Sequence, residues 1–170
     1  MSPGVDPEKN HVNPARRTTA GTRKWAVDLK QGFGSVRPGW GFSSSPLIEG
    51  SKVLVEGGGS SGRAILGFNR RDGRLLWARQ GDKIGYSSPV MANLGGVRQV
   101  LFFTAAGLIS VSPISGSLHW RHNWPTPHNV NAATPVLVPP DKVFISSAYD
   151  VGGALLQVSW ETGKASVREV

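Results

Sequence analysis

The 170-residue sequence predicts an all-β fold made of repeated four-stranded antiparallel sheets. The main observation is a pattern of strand, glycine turn and strand that recurs at 62–77, 107–120 and 152–167. The composition agrees, because 22 glycines and 12 prolines suit many tight turns and do not suit long helices. No run of about 18 apolar residues occurs, so the sequence predicts no membrane-spanning segment.

The first element is the polar, proline-bearing stretch 1–22, which lacks a hydrophobic period and is predicted to be a flexible basic arm. Residues 1–37 hold seven lysines and arginines and three acidic residues, which accounts for half of the net charge of +8. A solvated arm is the favoured interpretation, and a nucleic-acid-binding arm is the alternative. The stretch has no apolar core of the length that a secretory signal requires, so no signal peptide is predicted.

Ordered structure is predicted to begin near Trp25. Gly21 precedes Trp25 by four residues, as Gly73 precedes Trp77, so residues 23–29 are predicted to be the last strand of one four-stranded unit. Complete units are then predicted at about 42–80, 86–122 and 132–170.

Landmarks within these units recur every 43 to 47 residues. They are the Ser-Pro or Thr-Pro prolines Pro46, Pro89 and Pro135 and the turn glycines Gly73, Gly116 and Gly163. A repeat of this length with four short strands is typical of a β-propeller blade. Helical repeats of similar period need long segments with a 3.6-residue period, which the sequence lacks. The prediction is therefore an incomplete β-propeller, because closed propellers use about four to eight blades.

The closing hairpin of the first blade carries a family pattern. Asn69, the turn Asp72-Gly73-Arg74 and Trp77 resemble the hairpin of the PQQ-binding-like β-propeller repeat family, which comprises quinoprotein-dehydrogenase propellers and their non-catalytic relatives. The segments GWGFSSSPL and GYSSPV are similar to bacterial, largely exported members of that family. The resemblance covers residues 21–170 and implies a propeller fold.

The resemblance also implies a structural role for the tryptophans. An indole at the end of the closing strand is expected to lie across the turn glycine of the adjoining blade, where a Cβ would block the approach. Trp77 and Trp120 are therefore predicted to hold neighbouring blades together. The third blade departs from the pattern, since Val167 stands where a tryptophan is expected.

A catalytic quinoprotein would need PQQ, Ca²⁺ held by oxygen ligands and a carboxylate base. The vicinal cysteine pair that dehydrogenases of the family commonly add is excluded, because the sequence contains no cysteine. Four carboxylates lie in predicted turns, where bonding to their own backbone is the expected role: Asp72, Asp82, Asp141 and Glu161. His119 and His122 point to opposite faces of a strand and are not predicted as a ligand pair. No catalytic residue, metal ligand or cofactor is assigned, and PQQ with Ca²⁺ remains the alternative.

The best candidates for ligand contact lie in the connections that enter the blades. In propellers these connections approach the mouth of the central channel, where ligands usually bind. The candidate contact residues are Trp40, Tyr86 and Asn131.

Two open blade faces are expected, and the remaining propeller blades or another copy of the chain are the predicted partners, with a further protein partner as an option. The predicted function is a non-catalytic binding or scaffold module of a larger, exported bacterial protein. The alternatives are part of a PQQ-dependent dehydrogenase and a nucleic-acid binder that uses its basic arm. The family resemblance implies a periplasmic or extracellular location.

Overall fold

The computed structural model describes residues 21–59 and 61–170. Within this part of the chain, the strands form three separate antiparallel sheets in chain order, each with four strands. Blade 1 consists of β1 Leu47–Glu49, β2 Lys52–Gly59, β3 Arg63–Asn69 and β4 Leu75–Arg79. Blade 2 consists of β5 Val90–Leu94, β6 Val97–Thr104, β7 Gly107–Val111 and β8 Leu118–Asn123. Blade 3 consists of β9 Val136–Val138, β10 Lys142–Ser147, β11 Gly152–Glu161 and β12 Lys164–Glu169. The predicted all-β, incomplete propeller is confirmed.

Blade 2 lies between the other two blades and is covered on both faces. Its β6 residues Leu101, Phe102 and Phe103 are all buried, because successive side chains point to opposite faces and each face meets a neighbouring blade. Phe102 packs with Leu54 of blade 1, whereas Leu101 and Phe103 pack into the cluster shared with blade 3. The core is therefore divided into two layers, one at each joint between blades.

The joint between blades 1 and 2 has the predicted tryptophan packing. Trp77 at the end of blade 1 lies against Gly116 in the β7–β8 turn, where an added Cβ would come within 2.5 Å of the indole. Gly116 also has φ +69°, a conformation that glycine adopts without a steric cost. The Trp77 prediction is confirmed, since both space and backbone conformation require glycine.

At the joint between blades 2 and 3, the prediction that Trp120 holds the blades together is confirmed, but its expected contact with the turn glycine is wrong. Trp120 is buried in the shared cluster, but nothing lies within 4 Å of a Cβ added at Gly163. The cause is the last hairpin, in which Glu161 pairs directly with Lys164 across a two-residue turn. The last hairpin instead meets blade 2 through Trp160, whose ring lies 5.1 Å from that of His119. Trp120 instead donates its indole N–H to Oε1 of the buried Gln99, at 2.7 Å.

Residues 23–29 do not form the predicted strand. Residues 21–28 pair with no strand, and the helix α1 follows at Leu29–Phe33. Asp28 caps α1 by accepting a hydrogen bond from the Gln31 backbone N–H at 3.0 Å, which favours a helix start over a continuing strand. Trp25 nevertheless lies on Gly73, the place that a closing-strand tryptophan takes on the next blade. Most of the predicted arm, residues 1–20, lies outside the described residues.

No helix among the described residues is long and apolar enough to span a membrane.

Candidate functional site

A cavity of about 370 Å³ opens where the connection into blade 2 meets the loops around it. We call it the entry cavity. Its walls come from residues 36–39, from Gly58 and Gly59 at the end of β2, from residues 81–84 with Tyr86, and from His128 and Asn129. Its volume is at the lower end of the range of about 300–1,000 Å³ that is usual for ligand pockets.

Two of the predicted contact residues lie at this cavity. Tyr86 lines it, and Trp40 packs edge-on against the Tyr86 ring with a centroid distance of 5.8 Å. Trp40 is not among the lining residues, but it follows Gly39, which is, and keeps 66% of its surface exposed, so it lies on the rim. The loops named from the sequence thus border the cavity, and ligand contact by Trp40 and Tyr86 stays a prediction.

The third predicted residue, Asn131, has a different position. It is fully buried, and its amide nitrogen donates to the carbonyl oxygens of Thr104 and Trp124 at 2.8 and 3.0 Å. Its amide oxygen accepts a hydrogen bond from the Ser147 hydroxyl at 2.6 Å. The side chain therefore joins blades 2 and 3, and it is not among the residues that line the entry cavity.

A buried carboxyl lies next to the entry cavity. Glu56 in β2 is 4% exposed, and its Oε1 accepts a hydrogen bond from the Gly85 backbone N–H at 3.0 Å. Burial raises the pKa of Glu56 to about 8, with a smaller contribution from the negative charge of Asp82. Glu56 is therefore mainly protonated at neutral pH.

The expectation that Asp82 forms hydrogen bonds only within its own turn is wrong. Its carboxylate is buried and binds the Arg121 guanidinium through two contacts, Nη1 to Oδ1 at 2.5 Å and Nη2 to Oδ2 at 2.9 Å. The fork of Arg121 matches the carboxylate geometry, so the charge of Asp82 is neutralised inside the joint. Asp72 does behave as expected, since it accepts a hydrogen bond from the Arg74 backbone N–H at 3.0 Å.

The described carboxyls near the cavity form no cluster of the kind that would hold Ca²⁺ beside PQQ. Calcium needs six to eight oxygen ligands around one point. No three His, Cys, Asp or Glu side chains in the described ranges converge in this way, and Asp82 is already bound to Arg121. The expectation that His119 and His122 point to opposite faces does not hold, because His119 packs edge-on against Trp160 and His122 lies 3.2 Å from Glu169, both residues of blade 3.

Sequence reasoning missed Glu56 and the Asp82–Arg121 pair. The only signal for Glu56 was a charged residue at the end of the apolar run Val53-Leu54-Val55. Nothing local marked Asp82 and Arg121, which are 39 residues apart and meet only when blade 2 closes on its entry loop.

The match to a protein-family model agrees with the fold. A PQQ-like family model described as "Outer membrane protein assembly factor BamB" matches residues 15–170. The crystal structure of BamB from Moraxella catarrhalis is similar at a TM-score of 0.49, with 18% sequence identity, over 76% of this chain and 38% of that one. The chain thus spans well under half the length of that relative. No curated protein gave a significant match. Because the family model covers nearly all of the sequence, the chain belongs to the PQQ-like β-propeller family described as outer membrane protein assembly factor BamB.

Proposed function

We propose that the chain is a non-catalytic binding or scaffold module of a larger β-propeller protein. The observation that carries this proposal is the end face of blade 3, by which we mean the side of its sheet that points away from blade 2. An apolar sheet face needs a cover, and among the described residues this one has none.

The end face of blade 3 bears an apolar stripe that crosses all four strands. Val136 pairs with Phe144, and Phe144 pairs with Leu155. Val170 donates its backbone N–H to the Leu155 carbonyl oxygen and extends the row. These side chains are largely exposed, at 56% for Val136, 40% for Phe144 and 52% for Val170. The sheet nevertheless has the same four-stranded order as the two blades that pack against each other.

A polar row runs beside the stripe. Lys142 donates to the Asp141 carboxylate at 3.1 Å, and Gln157 donates to the same carboxylate at 2.7 Å. Arg168 donates to the Gln157 amide oxygen at 2.6 Å. An apolar centre with a satisfied polar edge is the usual anatomy of a protein interface.

A further propeller blade is the occupant that fits this surface best, because blades 1 and 2 already meet through sheet faces of the same kind. That blade can belong to the same polypeptide or to a second copy. For the 170-residue chain on its own, the second copy is the available occupant.

Sedimentation equilibrium of the chain between about 1 and 100 µM tests this proposal. We expect reversible self-association that Phe144→Glu weakens at least about tenfold, because it places a charge in the apolar stripe. Ile114→Glu is the matched control, since Ile114 is exposed in a turn of blade 2. A monomer throughout the range, or equal weakening by both variants, would contradict the proposal.

Membership of this family supports a location in the bacterial envelope. Fractionation of cells that express the full open reading frame with a C-terminal tag checks this, and recovery of the tag only in the cytoplasm would overturn it.

A further inference from the structure

Two cations flank the entry cavity without a carboxylate partner among the described residues. Arg37 and Lys83 line the cavity and are exposed, and the ion pairs found in the described part of the chain use other basic residues. The nearby acids do not neutralise them. Asp82 is bound by Arg121, and Glu56 is mainly protonated at neutral pH because burial raises its pKa to about 8. The rim therefore has a net positive charge.

Apolar surface lies beside these cations. Val36 is 72% exposed and lines the cavity, Trp40 forms the rim, and Pro38 and Ile84 contribute to the wall. Single exposed apolar side chains are normal in soluble proteins. Here, however, the exposed side chains of Val36 and Trp40 both lie next to a cavity. Aromatic and arginine side chains are the types that carry most of the binding energy at protein interfaces.

The walls of the cavity are held in place by close backbone packing. A Cβ at Gly58 would lie 2.2 Å from Ile84 Cγ1, and one at Gly59 would lie 2.3 Å from the Phe33 carbonyl oxygen. Ser35 forms an antiparallel bridge with Gly59, which fixes the segment that leads to Val36 and Arg37. A preformed site loses less conformational entropy when it binds a partner.

The opposite wall is also fixed. His128 and Asn129 have positive φ angles of +63° and +61°, which is uncommon for residues other than glycine. The His128 ring packs edge-on against Tyr149 at 5.7 Å, and this contact secures the loop. Unusual backbone conformations of this kind occur often at ligand sites.

We propose that the entry cavity binds an acidic peptide segment of a protein partner, with an aromatic or aliphatic side chain in the cavity and a neighbouring carboxylate bound by Arg37 or Lys83. The inference rests on the proposed binding function and adds a second surface to it. The apolar rim at Val36 and Trp40 extends beyond the cavity, which favours an extended peptide over a small molecule.

Selection from a random heptapeptide library displayed on phage, with the complete 170-residue chain immobilised, tests the proposal. We expect enriched peptides to carry Asp or Glu next to Phe, Trp or Leu. Synthetic copies should bind the double variant Arg37→Glu/Lys83→Glu at least about tenfold more weakly than the unchanged chain, because two attractive charges become repulsive. Trp40→Ala should weaken binding about fivefold or more.

Arg71→Glu is the matched control, because Arg71 is exposed in the β3–β4 turn and does not line the entry cavity. It should leave peptide affinity within about twofold. Thermal unfolding of each variant, monitored by circular dichroism, confirms that the exposed substitutions leave the fold intact.

Three results would overturn the inference: no enriched peptide, enriched peptides without acidic residues, or equal losses in the control and the double variant. The proposed scaffold function is judged separately, since it depends on the effect of Phe144→Glu on self-association and not on any peptide.

Discussion

The two end faces of the three-blade stack differ in how they are covered. On blade 1, the face that points away from blade 2 buries Val53, Leu66 and Phe68 beneath the segment 25–33, which packs Trp25, Val27, Leu29 and Phe33 onto the sheet. On blade 3, the corresponding face leaves Val136 and Phe144 exposed. A sheet face thus needs apolar cover but not a paired strand, since coil and one short helix are enough for blade 1. No segment among the described residues covers blade 3 in this way, and its end face is the surface that we propose for another molecule.

The largest expected effect is a difference in stability between the same substitution made on the covered face of blade 1 and on the end face of blade 3. Phe68→Ala should lower the free energy of unfolding by about 3–5 kcal/mol, because Phe68 is 3% exposed and packs against the rings of Trp25 and Phe33. Phe144→Ala should cost less than about 1 kcal/mol in the monomer, because the ring is already partly in water. Urea unfolding at low protein concentration measures both. Equal losses would show that the blade 3 face is covered in solution.

The next effect is the pH dependence of the free energy of unfolding. Its sign for Glu56, buried between blades, is opposite to its sign for Asp141 on the end face of blade 3. Because the pKa of Glu56 is raised to about 8 in the folded protein, the unfolded chain loses this proton at a lower pH than the folded chain does. The free energy of unfolding therefore falls as pH rises from about 4.5 to about 8. The loss should reach about 3 kcal/mol at pH 7. Glu56→Gln should remove most of this slope, as measured by urea unfolding at several pH values. A slope unchanged in Glu56→Gln would show that Glu56 is ionised in the native protein.

On the open face, hydrogen bonds from Gln157 and Lys142 lower the pKa of Asp141. Its contribution to stability is therefore present above its ordinary pKa and is lost as pH falls below it. Asp141→Asn should thus narrow the difference in stability between pH 6 and pH 3, whereas Glu56→Gln acts above pH 4.5.

A glycine series sharpens the difference between the blade joints. Gly73, Gly116 and Gly163 have φ angles of +72°, +69° and +78°, so alanine should carry a similar backbone cost of about 1–2 kcal/mol at each. Gly73→Ala and Gly116→Ala should cost about 1–3 kcal/mol more, since the new methyl group meets Trp25 and Trp77. Gly163→Ala meets nothing and serves as the internal control. Equal losses of stability at the three positions would show that contact with an indole is not what requires glycine there.

The smallest effect is expected at the surface between blades 1 and 2. Arg98 binds Glu49 through two contacts of 2.8 Å, and this pair lowers the pKa of Glu49. Both side chains face solvent, so Glu49→Gln should lower the melting temperature only slightly, and the difference should vanish in about 1 M salt. A large loss that persists in high salt would contradict this view of the pair.

The repeat unit could be predicted from the sequence because strand alternation and turn glycines are local signals. The Trp77 contact with Gly116 followed from the family resemblance together with the spacing, since both blades have hairpins of similar length. The contact expected between Trp120 and Gly163 is absent, and the last hairpin differs from the others in its two-residue turn at Thr162 and Gly163. The length of a hairpin depends on the register in which its two strands pair, and the spacing of prolines and glycines along the sequence does not reveal that register.

The candidate site was predictable only in part. Trp40 and Tyr86 were found because their loops occupy a known place in propellers, and aromatic residues in loops are conspicuous. Asn131 comes from the same kind of loop, but its neighbours Thr104 and Ser147 lie on two different blades and draw its amide into the core. Such pairings depend on how blades meet, and no local pattern encodes them.

The central claim is that the end face of blade 3 is an interface, and cysteine cross-linking tests it most directly. The chain has no cysteine, so Ser146→Cys on the end face and Ser117→Cys in the blade 2 turn each place a single thiol. With a short bis-maleimide, we predict cross-linked dimers from Ser146→Cys, their loss when Phe144→Glu is added, and few from Ser117→Cys. Equal dimer yields from the two cysteines, or a yield at residue 146 that Phe144→Glu leaves unchanged, would contradict the claim.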